Sequence, residues 1–276
     1  MEKWRKGKDV QMMKVGFIGA GNMGYAMIQG ILDSGVCTPD ELMASDCRED
    51  LLDNISETLG IMTTTENLRV VLFAQVLFLA VKPQYYESVI REIRDAVSEE
   101  KIIVTIAPGK TLPWLDEQFG RPLKIVRTMP NTPAMVKEGM TGICPGERVT
   151  AEELEIVRSL FGGFGKTEVV TEQLLDVVTA VSGSSPAYVF MFIEAMADAA
   201  VAGGMPRAQA YTFAAQAVLG SAKMVLETGR HPGELKDMVC SPAGTTIEAV
   251  CVLEQKGFRS AVLDAMNACV RKSQEM

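Results

Sequence analysis

Gly19-Ala20-Gly21-Asn22-Met23-Gly24 is a G-x-G-x-x-G run that directly follows the apolar stretch at 15–18 and opens a helical pattern. In that setting the three glycines have separate tasks. Gly19 permits a tight turn, Gly21 lets a pyrophosphate approach the backbone, and Gly24 lets the helix lie close to its strand. The first amides of the helix then face the phosphates of a dinucleotide. The next β-rich run ends in Ser45-Asp46-Cys47-Arg48. An acidic residue about twenty positions beyond such a fingerprint bonds the ribose hydroxyls of NADH, whereas a nearby Arg accommodates the 2′-phosphate of NADPH. Asp46 and Arg48 argue in opposite directions, so the residues alone leave NADPH against NADH open.

Three further turns each follow a strand-length apolar run: Ala80-Val81-Lys82-Pro83-Gln84, Ile106-Ala107-Pro108-Gly109 and RTMPNTP at 127–133. Singly, each reads as loop punctuation. Ligands of open α/β sheets collect outside the carboxyl ends of strands, so three such turns at one edge form a rim for the nicotinamide end. In the second half, Ser241-Pro242-Ala243-Gly244-Thr245-Thr246 precedes a helical run at 247–254. Small residues ahead of a helix leave backbone N–H groups uncovered, which suits a carboxylate. The helix dipole contributes only about 0.3–1 kcal/mol, so direct hydrogen bonds must supply most of the hold. The two Thr hydroxyls admit two readings, as caps of the helix or as partners of a substrate heteroatom.

The elements that must position these groups change character along the chain. Apolar, β-branched runs at 14–18, 41–45, 76–81, 102–106 and 123–127 alternate with helical segments such as 23–34. That alternation predicts βαβ units and a parallel sheet covered on both faces. Beyond about residue 170 the β-rich runs stop. Pro186, Pro206 and Pro232 open helical stretches, and Gly203-Gly204 and Gly229 stand where the preceding ones end. The expected fold class is α/β, a Rossmann-like doubly wound sheet domain at 13–171 followed by an all-α domain at 172–276, with a disordered extension at 1–12. The stretch 186–202 is apolar nearly all round, and about a hundred residues cannot bury such helices alone. A dimer through the helical half is therefore expected, against the alternative of a monomeric bundle packed on the sheet domain.

Composition removes several chemistries. The 276 residues hold 27 Lys and Arg against 35 Asp and Glu, a net charge of −8, which disfavours nucleic-acid binding. The single histidine, His231, precedes Pro232 and is expected at a helix end, which leaves little for a hydrolase triad and no multi-imidazole metal site. Six scattered cysteines without a C-x-x-C pair and a Lys-rich N-terminus without an apolar core point to a cytoplasmic protein with reduced thiols. The stretch 186–202 is short for a membrane span and carries Glu194 and Asp198, so no membrane association is expected.

FIGAGNMG (17–24), LAVKPQ (79–84), RTMPNTPA (127–134), SGSSPAYVFMFIEAMADAA (182–200) and HPGELKDMVCSPAGTTIEAVCVLE (231–254) together resemble the Δ1-pyrroline-5-carboxylate reductase family, the last two stretches being long and specific. The resemblance runs from about residue 13 to near the C-terminus. It implies a Rossmann domain, a helical domain that interlocks into dimers, often assembled into decamers, and NAD(P)H-dependent reduction of 1-pyrroline-5-carboxylate to L-proline. It implies that Ile18, Gly19, Ala20, Gly21, Asn22 and Met23 line the pyrophosphate and that Asn67 reaches the adenosine side. It further implies that Ala80, Val81, Lys82, Ile106, Ala107 and Pro108 border the nicotinamide half. Gly244, Thr245 and Thr246 would hold the substrate carboxylate, with Thr246 nearest the ring nitrogen and Glu172 close by. Two positions depart from the family: Ala243 stands where a second Gly is usual, and Pro108 where Ala is frequent.

Such a reaction needs no strong general acid if the imine binds already protonated, because the iminium is itself the electrophile. Holding two reactants in line, with an effective molarity of about 10⁵ M or more, then carries much of the barrier. Two other readings compete. A β-hydroxyacid dehydrogenase would need a catalytic Lys in the helical half, for which Lys223 and Lys236 are available. A non-catalytic dinucleotide-binding protein would have no use for Gly244-Thr245-Thr246.

Overall fold

The computed structural model describes residues 13–276. The extension expected at 1–12 lies outside the described residues. Among the described residues, eight strands form one sheet: β1 (Val15–Ile18), β2 (Leu42–Ser45), β3 (Met62–Thr64), β4 (Val76–Leu79), β5 (Ile102–Thr105), β6 (Lys124–Met129), β7 (Gly139–Pro145) and β8 (Gly165–Val169). Their order is β3-β2-β1-β4-β5-β6-β7-β8. Neighbours are parallel except for the antiparallel β6–β7 pair. The first six strands thus follow the order of a dinucleotide-binding sheet, with its switch point between β1 and β4.

Helices cover both faces. They are α1 (Asn22–Ser34), α2 (Glu49–Leu59), α3 (Asn67–Phe73), α4 (Tyr86–Ile93), α5 (Leu112–Phe119) and α6 (Ala151–Phe161). One core joins Phe17, Phe78 and Val104 to Met27 and Ile31 of α1 and Phe161 of α6. The other joins Ile18, Leu79 and Ile103 to Val71 of α3, Ile90 of α4 and Phe119 of α5. This is why β1, β4 and β5 read as unbroken apolar runs: neither face of a central parallel strand meets water. The expected doubly wound sheet is present. β3, β7 and β8 were not foreseen. β3 is a three-residue Met-Thr-Thr strand on an edge, β7 carries two glycines, and β8 is a polar edge strand with no apolar run to betray it.

The helical half consists of α7 (Leu175–Val178), α8 (Ser185–Ala202), α9 (Arg207–Thr228), α10 (Pro232–Val239), α11 (Thr245–Gln255) and α12 (Phe258–Gln274). The described residues form two compact units, joined at Gly183/Ser184. Of the described residues, the first unit takes 13–183 together with Val270–Met276; the second is Ser184–Cys269. The reason is local. Val178 packs on Gly142 of β7, and Ser273 donates to Asp176 at 2.6 Å, so these helical segments belong with the sheet.

Within the second unit, α8 and α9 leave many apolar side chains uncovered, among them Phe190, Phe213 and Leu226, each more than 60% exposed, and α12 leaves Leu263 equally open. The helical run Glu172–Ala202 has 31 residues and is long and apolar enough to cross a membrane by length and composition. That run is not one continuous α-helix: α8 begins at Ser185 as expected, and the part before it carries Glu172 and Asp176, bonded to Arg127 and Ser273, beside the Glu194 and Asp198 of α8. His231 caps α10, its Nδ1 accepting from the Gly233 N–H at 3.0 Å, and Pro232 is the first helical residue. The expected helix-end role for the one imidazole holds.

Candidate active site

Gly19 leaves β1 with φ +98 and donates its N–H to the Ser45 carbonyl at 2.8 Å, joining the carboxyl ends of β1 and β2. A Cβ at Gly19 would lie 2.7 Å from the Ala80 carbonyl, and one at Gly24 would lie 2.4 Å from the Gly19 oxygen. At Gly21 the nearest neighbour of such a Cβ is Arg48 Nη2 at 3.9 Å, so that face of the turn is open. Gly19 thus sits in the tight turn, Gly24 where the helix start meets it, and Gly21 at an open face. Helix α1 starts at Asn22 with Gly21 as its N-cap, with no capping side chain and no acid in its first turn. The amides of Asn22 and Met23 thus stand without a side-chain cap at the start of the helix, which suits an anion, and the neighbouring Ile18 and Ala20 are buried.

Asp46 and Arg48 form one ion pair. Asp46 Oδ1 accepts from Arg48 Nε at 3.0 Å and from its backbone N–H at 3.2 Å, and Oδ2 accepts from Nη2 at 3.2 Å and from the Ala20 N–H at 3.0 Å. Burial pushes the Asp46 carboxyl up, but the hydrogen bonds from Arg48 and Ala20 together hold it below its ordinary value. Its side chain is 10% exposed and that of Arg48 is 54% exposed, so the acid is fixed in the frame and the guanidinium is at the surface. Asn67 opens α3 beside them. Its Oδ1 accepts from Ser45 Oγ and its Nδ2 donates to Glu92, both at 2.8 Å.

The rim turns are braced as well. The Ala80 N–H donates to the Ile18 carbonyl at 2.8 Å, and Lys82 leads into a short 3-10 turn, Pro83–Tyr85. Ala107 is buried and Gly109, after Pro108, takes φ +74. Asn131 ties the third turn down, donating to the Ser182 carbonyl and accepting from the Met140 N–H. Glu172 Oε1 accepts from Arg127 Nη1 and from the Leu112 N–H, both at 2.6 Å, and the Arg127 side chain is 6% exposed. Glu172 thus belongs to the sheet unit and bridges the end of β6 to the start of α5. Arg127, Ser45 and Glu92 were missed as partners of site residues, since nothing in their spacing says which charge or amide they meet. The one available signal was a polar side chain at the end of an apolar run.

In the second unit, the Gly244 N–H donates to the Ser241 carbonyl at 3.0 Å, closing a turn with Pro242 and Ala243 at its centre. Helix α11 begins at Thr245 with Gly244 as N-cap and no capping side chain. The capping reading of the two Thr hydroxyls is thereby set aside: Thr245 and Thr246 are the first two helical residues, and their amides stand uncapped. A Cβ at Gly244 would lie 2.3 Å from Ser241 Oγ and 3.1 Å from the Ser241 carbonyl oxygen, so a larger residue there would have to displace the Ser241 side chain.

Residues 172–276 match the family model described as pyrroline-5-carboxylate reductase dimerisation, and residues 14–109 match one described as NADP oxidoreductase coenzyme F420-dependent. The pyrroline-5-carboxylate reductase of Escherichia coli strain K12 is 52% identical over 263 residues, 95% of this chain and 98% of that one. The chain belongs to the pyrroline-5-carboxylate reductase family. A pyrroline-5-carboxylate reductase structure from Coxiella burnetii superposes with a TM-score of 0.88 at 34% identity, covering 96% of this chain and 98% of that one. A Plasmodium falciparum pyrroline carboxylate reductase with NADP bound gives 0.87 at 30% identity, covering 95% and 97%.

Of the two positions singled out in the sequence, Ala243 and Pro108, Ala243 is the one that the backbone registers. It has φ +54, the left-handed region that the third position of a Pro-containing type II turn requires and that glycine enters without cost. An L-residue there costs about 1–2 kcal/mol, offset in part by the smaller freedom of Ala in the unfolded chain. Ala243→Gly is therefore expected to stabilise the protein by about 0.5–1 kcal/mol and raise its melting midpoint by about 1–4 °C. A lowered midpoint in calorimetry would show that the methyl group is packed rather than strained.

The dehydrogenase reading needed Lys223 or Lys236. Lys223 Nζ lies 3.5 Å from Glu227, and Lys236 Nζ lies 2.6 Å from Asp237, which raises the Lys236 pKa. Each ammonium is engaged by a carboxylate of its own helix, and at Lys236 the neighbouring Asp237 favours the protonated form over a proton acceptor.

Proposed function

We propose that this protein reduces the C=N bond of 1-pyrroline-5-carboxylate to give L-proline, with NADPH as the donor and NADH as the alternative. The observation that carries the reading is the uncapped start of α11 at Gly244, Thr245 and Thr246, in a chain whose sheet unit carries a second uncapped start at α1. One suits the carboxylate of a small ring, the other a pyrophosphate. The nicotinamide, when bound, supplies the hydride. The residues Ile18 to Met23 cradle the phosphates, Asp46, Arg48 and Asn67 meet the adenosine ribose, and the turns 80–82 and 106–108 bound the nicotinamide half. The Thr246 hydroxyl orients the ring nitrogen, and the proton that nitrogen already carries makes its carbon electrophilic. Glu172 is already engaged by Arg127 and by the Leu112 N–H, so in this reading it fixes the edge of the sheet unit.

Self-association through residues 172–276 covers the apolar side chains that α8 and α9 leave exposed, giving a dimer. Decamers built from such dimers and a cytoplasmic location belong to the same proposal, the latter supported by six cysteines that form no disulfide. The test is steady-state turnover of pyrroline-5-carboxylate with each reduced nicotinamide, with a 3-hydroxy acid and NADP⁺ offered in parallel. Reduction of the imine with proline as product supports the reading, and turnover of the hydroxy acid alone overturns it.

The Asp46–Arg48 pair turns the cofactor question into an expected result. Asp46→Ser removes the carboxylate that holds the guanidinium and would repel a 2′-phosphate. The ratio of kcat/KM for NADPH over NADH is expected to rise about 10-fold, the worth of one charge-assisted hydrogen bond. An unchanged ratio would remove Asp46 as the selector.

A further inference from the structure

We propose that Tyr86 is a positioning residue for the nicotinamide end of the cofactor, acting through the two rim turns that its hydroxyl ties together. This rests on the cofactor reading above, in which the turns at 80–82 and 106–108 bound the nicotinamide.

Tyr86 is the first residue of α4 and follows the rim turn 80–84 directly. Its side chain is fully buried in the core between the sheet and α3, α4 and α5. The hydroxyl donates to the Leu79 carbonyl at 2.5 Å and accepts from the Ile106 N–H at 3.2 Å. Leu79 and Thr105 are the last paired residues of the β4–β5 ladder. The Tyr86 oxygen therefore stands where the next rung would be.

A direct rung would hold the strands about 4.8 Å apart. With a hydroxyl inserted, both buried backbone groups keep a partner while the chains part, one into Ala80-Val81-Lys82 and the other into Ala107-Pro108. Burial raises the Tyr86 pKa well above its ordinary value, so the oxygen keeps the proton that it gives to Leu79. The direction of both bonds is then set: one hydrogen to the carbonyl, one lone pair to the amide. Because α4 starts at this residue, the same side chain also fixes where the first rim turn ends. A misplacement of about 1 Å in a hydride-transfer site can cost about 100-fold in rate. A hydroxyl that sets the separation of two bounding turns is thus placed to act on the nicotinamide and not on the adenosine end, which the β1 and β2 turns hold.

The test compares Tyr86→Phe with the unaltered protein in titrations of NADPH and of ADP-ribose 2′-phosphate, which lacks the nicotinamide. NADPH is expected to bind at least 5-fold more weakly, the fragment's affinity staying within 2-fold. Equal weakening of both, or no change in either, overturns the proposal, since a purely structural role would not separate the two ligands. If Tyr86→Phe fails to fold, amide hydrogen exchange at Ile106 in the unaltered protein gives the same reading. NADPH should slow it and the fragment should not, and an equal effect or none overturns the proposal. An unaltered protein that binds NADPH but does not reduce pyrroline-5-carboxylate would remove the proposed function while leaving this comparison valid.

Discussion

Gly19→Ala is expected to lower NADPH affinity about 100-fold and the melting midpoint by about 6–12 °C. Two independent costs meet at this residue. A φ of +98 is a conformation that L-residues rarely adopt, and a Cβ there would lie 2.7 Å from the carbonyl carbon and oxygen of Ala80 and 2.9 Å from the Val81 nitrogen. These are backbone atoms and cannot rotate away. Strain and overpacking together come to about 3 kcal/mol, which at about 2–4 °C per kcal/mol for a protein of this size gives the stated midpoint shift. The loss in affinity follows from geometry. Relief requires the turn or the 80–82 segment to move, and the amides of α1 are then displaced from the pyrophosphate. Two charge-assisted hydrogen bonds misaligned account for about 3 kcal/mol, or about 100-fold. Isothermal titration and calorimetry measure both quantities, and wild-type affinity in a folded Gly19→Ala protein would show that this turn is not the phosphate cradle.

Thr246→Ala should lower kcat/KM for pyrroline-5-carboxylate by about 10-fold or more while NADPH affinity and thermal stability stay near their original values. One hydrogen bond to a reacting heteroatom is worth about 1–3 kcal/mol, more where the partner is charged. Stability is expected to hold because α11 is capped by Gly244 and no threonine hydroxyl caps it. Thr246→Ser keeps the hydroxyl and should recover most of the rate. Unchanged turnover in Thr246→Ala would place the hydroxyl outside the reaction, leaving the carboxylate to the amides alone.

The central strands and the glycine-rich turn were legible because burial on both faces and a close backbone approach constrain residue type position by position. Val15 to Ile18 can only be apolar, and Gly19 and Gly24 can only be glycine. Edge strands carry no such constraint. β3 and β8 pair through their backbones, and their side chains, half of them solvated, leave no periodic signal. Charge partners were illegible for a different reason. Nothing local says that Arg48 closes on Asp46, or that Arg127 meets Glu172 across 45 positions; the sheet brings those groups together. The same applies to Tyr86, whose hydroxyl acts on residues 7 positions behind it and 20 ahead. At 241–246 small residues before a helix were visible, yet whether a threonine or a glycine caps that helix depended on φ and ψ at Ala243 and Gly244, which residue types alone do not settle.

The most direct measurement is a crystal structure of the protein with NADP⁺ and L-proline bound together. The proline carboxylate is expected on the main-chain amides of residues 244–246, its ring nitrogen within hydrogen-bond distance of Thr246 Oγ1 and its ring facing the nicotinamide. Proline bound elsewhere, with those amides left to solvent, would contradict the account.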